Sequence, residues 1–209
     1  MARTRGDCVL VLASGSPRRL QLLEQIGYPP DHLSPADIDE TPEPGERPEA
    51  YAQRLAREKA EVADARVREV LDPDNTFVLA ADTVVCLGRR IMPKAESLEV
   101  AESCLRELSG RAHRVRTAVV VMTRGKVRER LVETRVKMKR LSQRDIANYL
   151  ATGEWEGKAG GYAIQGRAGA FVTQIIGSYS SVVGLPLYET EQLLVGNGFV
   201  PPAPDEADA

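Results

Sequence analysis

Cysteine is scarce in this chain, and its three copies, Cys8, Cys86 and Cys104, are scattered without any CxxC pair. An odd number of separated cysteines argues against a disulfide framework and against a structural zinc site. Cys8 and Cys86 stand within apolar runs, which favours their interpretation as small buried hydrophobic residues. The expected environment is therefore a reducing compartment.

Long apolar runs and a strong charge of one sign are also lacking. No run approaches the roughly 20 apolar residues of a membrane span, and the run at residues 8–13 is too short for a signal peptide. The formal net charge is only −2, with 28% charged residues, which argues against a general nucleic-acid binder. We expect a cytoplasmic protein that binds neither a membrane nor a nucleic-acid polymer.

Several familiar catalytic patterns are missing as well. There is no GxxxxGK[ST] loop and no strand followed by GxGxxG, which excludes a P-loop NTPase and a dinucleotide-binding fold of the usual type. His32 and His113 are isolated and belong to no evident Ser/His/Asp set, so we expect both to be structural or solvated.

The pattern of apolar residues predicts a mixed α/β fold. The chain has 209 residues, 43% of them hydrophobic, enough for one domain with a sizeable core. Strands are expected at residues 8–13, 33–38, 77–81 (extended through 83–87), 115–122, 127–138 and 170–176. Helices are expected from Pro17 to Gly27 and at residues 48–70, 97–108, 142–150 and 186–194. The segment at 123–126 is expected to join its two strands as a hairpin, and Ser142 with Asp145 resembles a capping box at a helix start.

We predict one domain over residues 1–200, with a mixed twisted sheet, flanking helices and two lobes around a central cleft, followed by a disordered tail at 201–209. The tail is rich in proline and acidic residues. In the glycine-rich loop at 157–169, five of thirteen residues are glycine.

The segment at residues 14–19, SGSPRR, joins the first strand to the first helix. Ser16 suits the N-cap and Pro17 the first helical position. Backbone N–H groups and the helix dipole favour anions at such a turn, and Arg18 and Arg19 add guanidinium groups that grip phosphate oxygens. The alternative is a capped surface helix with solvated arginines.

Two acidic residues are candidate metal ligands. Asp82 directly follows the buried run at 77–81, and the carboxyl ends of strands in open α/β sheets border the ligand crevice. Glu40 lies in an acidic stretch and would supply a second hard oxygen ligand across a cleft. The alternatives are a turn-capping Asp82 and a solvated Glu40.

Further candidates are polar residues that would contact a nucleotide. Lys59 on the long helix and Lys94 after Pro93 are candidates for phosphate contacts, although such lysines are usually solvated. In the glycine-rich loop, the backbone permits close approach of a ligand. The Gln165 amide there offers a paired donor and acceptor for the edge of a base.

Seven segments in order resemble the Maf family of nucleoside triphosphate pyrophosphatases over roughly residues 8–197. They are LASGSPRR at 12–19, DIDE at 37–40, RLAREKA at 54–60, ADTVV at 81–85, LSG at 108–110, KAGGYAIQG at 158–166 and VGLPL at 183–187. One departure is that the family's Gly-Lys-Pro is replaced by Met92-Pro93-Lys94-Ala95, which moves the restricted φ angle to another residue.

The resemblance implies a metal-dependent hydrolase that converts a nucleoside triphosphate to the monophosphate and pyrophosphate. It implies a two-lobed α/β fold similar to the inosine triphosphate pyrophosphatases, a homodimer, and a role in nucleotide-pool cleansing. By motif, Asp82 matches the family's catalytic base and Glu40 a metal-linked carboxylate. The implied contacts to phosphate or substrate are Ser14, Arg18, Arg19, Lys59, Thr83, Lys94, Lys158 and Gln165.

The branch of the family rests on Arg18, Thr83 and Gln165. The 7-methyl-GTP branch carries a Trp before its arginine pair, a Gln after the Asp and a Ser-Glu pair in the late loop, and this chain has none of them. The chain therefore resembles the dTTP/UTP branch, with Mg²⁺ or Mn²⁺ on Glu40 and Asp82. The alternatives are a 7-methyl-GTP-type pyrophosphatase and a non-catalytic nucleotide-binding regulator of septum formation, linked to cell-division arrest.

Overall fold

The computed structural model describes residues 8–201, and its centre is a seven-stranded mixed sheet. The strands are β1 (Val9–Leu12), β2 (His32–Leu33), β3 (Thr76–Leu87), β4 (Arg90–Ile91), β5 (Ala112–Thr123), β6 (Lys126–Met138) and β7 (Val172–Ile176). Their order is β2-β1-β3-β5-β6-β7, and β4 pairs with β3 outside this path. β1 is parallel to β2 and β3, whereas the remaining pairs are antiparallel.

Helices cover both faces of the sheet. They are α1 (Pro17–Gln25), α2 (Pro48–Val67), α3 (Leu98–Leu108), α4 (Gln143–Leu150), α5 (Tyr179–Val183) and α6 (Leu187–Gly196). Alternate residues of β3 point to opposite faces: Val78 and Ala80 pack against α2, whereas Phe77 and Leu79 pack against α1 and α6. A third cluster lies around α3 and α4. The predicted mixed α/β fold is confirmed.

Local turn and cap chemistry was predicted correctly in two places. Arg124 and Gly125 have left-handed φ angles of 51° and 69° and join β5 to β6 as a tight hairpin. The Ser142 side chain accepts from the Asp145 N–H and Asp145 reciprocates, which is the predicted capping box at the start of α4. Within residues 8–201, no helix is long and apolar enough to cross a membrane.

Other boundaries differ from the predictions. The strand expected at 33–38 is only the two-residue β2, and the long helix ends at Val67 instead of residue 70. The five-residue helix α5 was not predicted, because its serines and valines have weak helix propensity. Residues 202–209 of the predicted disordered tail lie outside the described part of the chain, and the division into two lobes stays a prediction.

Candidate active site

The turn between β1 and α1 places the N-terminal end of α1, which carries the positive end of the helix dipole, at the edge of a cleft. Ser16 occupies the N-cap position of α1, but no side chain caps the helix, contrary to the expected capping role of Ser16. Instead, Ser16 N–H donates to Ser14 Oγ at 3.2 Å. Pro17 at the first helical position has no N–H to satisfy. The uncapped helix start therefore favours an anion.

Arg19 is held in one orientation by three acceptors. Its Nε donates to the Gly184 carbonyl at 2.8 Å, its Nη1 to Ser14 Oγ at 3.1 Å and its Nη2 to Thr83 Oγ1 at 3.4 Å. Burial lowers the pKa of Arg19, and nearby Asp82 offsets this effect only in part. A guanidinium has five N–H donors, so two remain for an anion in the cleft.

One ammonium group joins the two predicted metal ligands. Lys59 Nζ lies 2.6 Å from Asp82 Oδ1 and 2.7 Å from Glu40 Oε1, and Lys59 and Asp82 are both buried. Lys94 Nζ pairs with the other Glu40 oxygen. Burial raises the pKa of Glu40, but the hydrogen bonds from Lys59 and Lys94 outweigh it and lower that pKa overall. The Glu40 carboxylate is thereby kept ionised near neutral pH.

Asp82 does not end a strand, so that prediction was wrong. It lies inside β3, opposite Ala118 of β5, because antiparallel pairing with β5 carries β3 on to Cys86. The parallel pairing of β1 with β3, in contrast, stops at Leu12 and Leu79. Asp82 therefore lies beyond the carboxyl end of β1, where open sheets of this kind form their ligand crevice.

The glycine-rich loop forms the opposite wall. Gly160 N–H donates to the Pro93 carbonyl at 2.9 Å, and Ala159 forms a β-bridge with Lys94, so the loop follows the chain around Lys94. Gly160 has a φ of +68°, and an added Cβ would lie 2.9 Å from Val85 Cγ1. Only glycine fits this close approach without strain.

The two polar side chains predicted from this loop differ in their partners. Lys158 Nζ donates to the Glu156 carbonyl at 2.6 Å, and burial together with neighbouring Arg18 lowers the pKa of Lys158. Gln165 is exposed to the cleft, and its side-chain amide makes no hydrogen bond with residues 8–201. The amide is therefore available to a ligand.

All ten predicted site residues line one cleft with a volume of about 290 Å³. They come from six separate parts of the chain and are Ser14, Arg18, Arg19, Glu40, Lys59, Asp82, Thr83, Lys94, Lys158 and Gln165. Since cationic groups outnumber the carboxylates, the cleft suits a polyanion that brings several phosphates.

Two buried hydroxyl-bearing residues near the cleft, Thr117 and Tyr149, were missed from the sequence. Thr117 Oγ1 donates to the Ser181 carbonyl at 2.7 Å and lies 3.0 Å from Thr83 Oγ1. Tyr149 Oη accepts from Ala163 N–H at 2.9 Å and so holds the glycine-rich loop. Thr117 lies in an apolar strand, and nothing in the neighbouring sequence indicates that its hydroxyl forms these hydrogen bonds. Its partner Thr83 is identified only by the register of β3 against β5.

The donor set fits a hard divalent cation. Asp82 Oδ2 makes no hydrogen bond with the described residues, and Glu40 places a second carboxylate on the same Lys59. Across residues 8–201 no group of three His, Cys, Asp or Glu side chains converges. Mg²⁺ needs only one or two protein carboxylates when water and substrate phosphates complete its octahedron.

The comparisons with known proteins agree on one protein family. The model of the family described as Maf-like protein matches residues 9–196. A dTTP/UTP pyrophosphatase of Rhodopseudomonas palustris (strain HaA2) is 62% identical over 191 residues, which are 91% of this chain and 92% of the relative. A dTTP/UTP pyrophosphatase of Nitrobacter hamburgensis is 61% identical over 198 residues, covering 93% of this chain and 94% of that protein.

Proposed function

Because the chain belongs to the Maf-like protein family, we propose that it hydrolyses dTTP and UTP to the nucleoside monophosphate and pyrophosphate. The observation that carries this proposal is a single cleft in which five cationic side chains surround two carboxylates. The cationic residues are Arg18, Arg19, Lys59, Lys94 and Lys158, and the carboxylates are Glu40 and Asp82. The name shared by near full-length relatives at about 60% identity supports the same activity.

The cationic groups are distributed to neutralise a triphosphate. Arg18, Arg19 and the uncapped start of α1 form one wall, and planar guanidinium groups bind phosphate oxygens in pairs. Lys59 and Lys94 flank Glu40 on the other side. A pre-organised charge of this kind stabilises the negative charge that develops on the leaving pyrophosphate.

The proposed reaction is an in-line attack of water on the α-phosphorus. The water oxygen forms a bond to that phosphorus, the bond to the bridging oxygen breaks, and pyrophosphate leaves with the electron pair. Asp82 Oδ1 is held by Lys59, which leaves Oδ2 to orient the water and accept its proton. The hydrogen bond from Lys59 keeps the Asp82 carboxylate in place for this task.

A divalent cation, Mg²⁺ or Mn²⁺, belongs to the proposal, with Glu40 and Asp82 as its protein ligands. When bound, it would neutralise phosphate charge and lower the pKa of a coordinated water. The test is calorimetric titration of Mn²⁺ into the protein with a non-hydrolysable UTP analogue. We expect Glu40→Gln and Asp82→Asn each to weaken binding, and unchanged affinity in both variants would contradict the assignment.

The preference for a pyrimidine is assigned to Gln165 and Thr83. The Gln165 amide offers a donor and an acceptor, which suits the O4 and N3–H groups of thymine and uracil. One alternative is a pocket that binds the base of a methylated purine nucleotide. The other alternative is a regulator that binds a nucleotide without hydrolysing it.

One assay separates these candidates. Purified protein and Mg²⁺ are incubated with dTTP, UTP, CTP, GTP or 7-methyl-GTP, and release of pyrophosphate is measured. We expect the highest kcat/KM with dTTP and UTP and a loss of about 100- to 1,000-fold in Asp82→Asn. Preference for 7-methyl-GTP would overturn the pyrimidine assignment. Absence of pyrophosphate release, or undiminished release by Asp82→Asn, would overturn the enzymatic one.

We further predict that the protein is a cytoplasmic homodimer. We also predict that it removes unwanted nucleotides and takes part in cell-division arrest. Its assembly is tested by size-exclusion chromatography with light scattering, for which we expect twice the 22.9 kDa chain mass.

A further inference from the structure

A second cavity, of about 380 Å³, lies at the start of α2 and contains none of the predicted site residues. Its lining consists of Arg47, Pro48, Glu49, Gly88, Arg89, Arg114 and Arg116. Four of these seven residues are arginines contributed by three different elements: the start of α2, the turn after β3, and β5. The tertiary structure therefore collects cations that are far apart in the chain.

The inner part of this cavity is already neutralised by two carboxylates. Arg116 is buried, and its Nη2 lies 2.7 Å from Glu49 Oε1 and 2.6 Å from Glu133 Oε2. The other oxygen of Glu133 accepts from Arg114 Nε at 3.0 Å. Glu49 and Glu133 thus fix Arg116 and Arg114 as the floor of the cavity.

The outer two arginines have no such partner. Arg47 and Arg89 are exposed at the cavity and form no ion pair with any residue between 8 and 201. Four guanidinium groups therefore share two carboxylates, and the surplus positive charge is concentrated at the mouth. Arginine side chains are the usual partners of oxyanions, because their planar fork matches phosphate geometry.

The backbone adds to this surplus. Arg47 is the N-cap of the 20-residue helix α2, no side chain caps that helix, and Pro48 follows. A cation at a helix N-terminus opposes the helix dipole, whereas an anion there is stabilised. Glu49 in the first turn of α2 supplies one opposite charge, but it is already paired with Arg116, so a further anion at this helix start would still be stabilised.

We propose that this cavity is a second anion site, which binds a small phosphate-type oxyanion between Arg47 and Arg89 above Arg114 and Arg116. Free inorganic phosphate or pyrophosphate and the phosphate end of a nucleotide share this chemistry. The site goes beyond the proposed hydrolysis and does not depend on it, because no residue is common to the two cavities.

The test is a titration of the ¹⁵N-labelled full chain with orthophosphate, pyrophosphate or UMP, followed by two-dimensional NMR. Sodium chloride at matched ionic strength provides the baseline. We expect saturable shifts of the backbone amides of residue 47, residues 49–51 and residues 88–90. Arg47→Gln with Arg89→Gln weakens this binding at least tenfold, consistent with the loss of charge-assisted hydrogen bonds, while the shifts at 14–19 and the release of pyrophosphate from UTP are unchanged.

The matched control is Arg128→Gln with Arg130→Gln, which removes the same charge from exposed positions of β6 and is expected to leave the affinity unchanged. Shifts with all three probes identify free phosphate as sufficient, and shifts with UMP alone identify a nucleotide; either supports the site. Shifts no larger than those in chloride, or full affinity in the Arg47→Gln, Arg89→Gln variant, would overturn the proposal. The single variant Arg89→Gln provides the same comparison if the double variant does not fold.

Discussion

Lys59 Nζ lies 2.6 Å from Asp82 Oδ1, so a buried ammonium on α2 holds a buried carboxylate on β3. The same nitrogen lies 2.7 Å from Glu40. Two carboxylates near a polyanion repel both each other and the ligand. A cation shared by both carboxylates reduces this repulsion. Lys59 is therefore the residue on which the geometry of the candidate active site depends.

Lys59→Met leaves two carboxylates without their common partner. Removing one partner of a buried ion pair costs about 3–5 kcal/mol. We therefore expect the free energy of unfolding, measured with urea, to fall by this amount. Lys94→Met is the matched control, because the Lys94 side chain is 44% exposed and its loss costs below about 1 kcal/mol. Equal losses in the two variants would contradict the central role of Lys59.

Arg19→Lys keeps the charge but loses the fork that three acceptors hold in place. An ammonium group cannot reproduce this geometry, and we expect kcat/KM for UTP to fall about 100-fold or more. Arg18 is the comparison, because no protein hydrogen bond within residues 8–201 fixes its guanidinium. Arg18→Lys is expected to have the smaller effect, and the reverse order would refute the orientation assigned to Arg19.

Thr117 is expected to act as a positioning residue for Arg19. Its hydroxyl donates to the Ser181 carbonyl, so it accepts from Thr83, which in turn accepts from Arg19 Nη2. Thr117→Val removes the acceptor for Thr83, and we expect a higher KM for UTP with a smaller change in kcat. Thr117→Ser retains the hydroxyl and should restore the wild-type KM. Failure of this rescue would show that only the packing of Thr117 matters.

The buried His113 makes stability depend on pH. Burial lowers its pKa to about 4, whereas an unfolded histidine titrates near 6.5. Between these values the unfolded chain binds the proton and the folded chain does not. Titration of His113 therefore leaves the free energy of unfolding unchanged above about pH 6.5. As the pH falls toward 4, the free energy of unfolding decreases by about 3 kcal/mol in total.

The check is urea unfolding of the wild type and His113→Gln from pH 4.5 to 7.5. We expect the wild type to lose more stability on acidification than the variant, because only the wild type has this buried group to protonate. Parallel pH profiles would mean that His113 is protonated equally in both states.

Much of the local structure and of the site was predictable from the sequence. The apolar run before Ser14, the proline at position 17 and the Ser142–Asp145 pair are short-range signals of backbone conformation, and each led to the correct element. At Asp82 the short-range pattern did not predict correctly where the strand ends. The strand continues through this residue because β5 pairs with it from about 36 positions away along the chain.

The sequence by itself determined the mixed α/β class, the positions of most helices and strands, and the ten residues that line the cleft. The fold class and the elements follow from periodicity and caps, which depend on neighbouring residues, and the full set of ten residues follows from the motifs that the chain shares with the family. Only the tertiary structure decided that Lys59 joins Glu40 to Asp82 and that Arg47, Arg89, Arg114 and Arg116 surround a second cavity. Such contacts depend on strand register and on helix packing against the sheet, which bring together side chains that no local pattern connects.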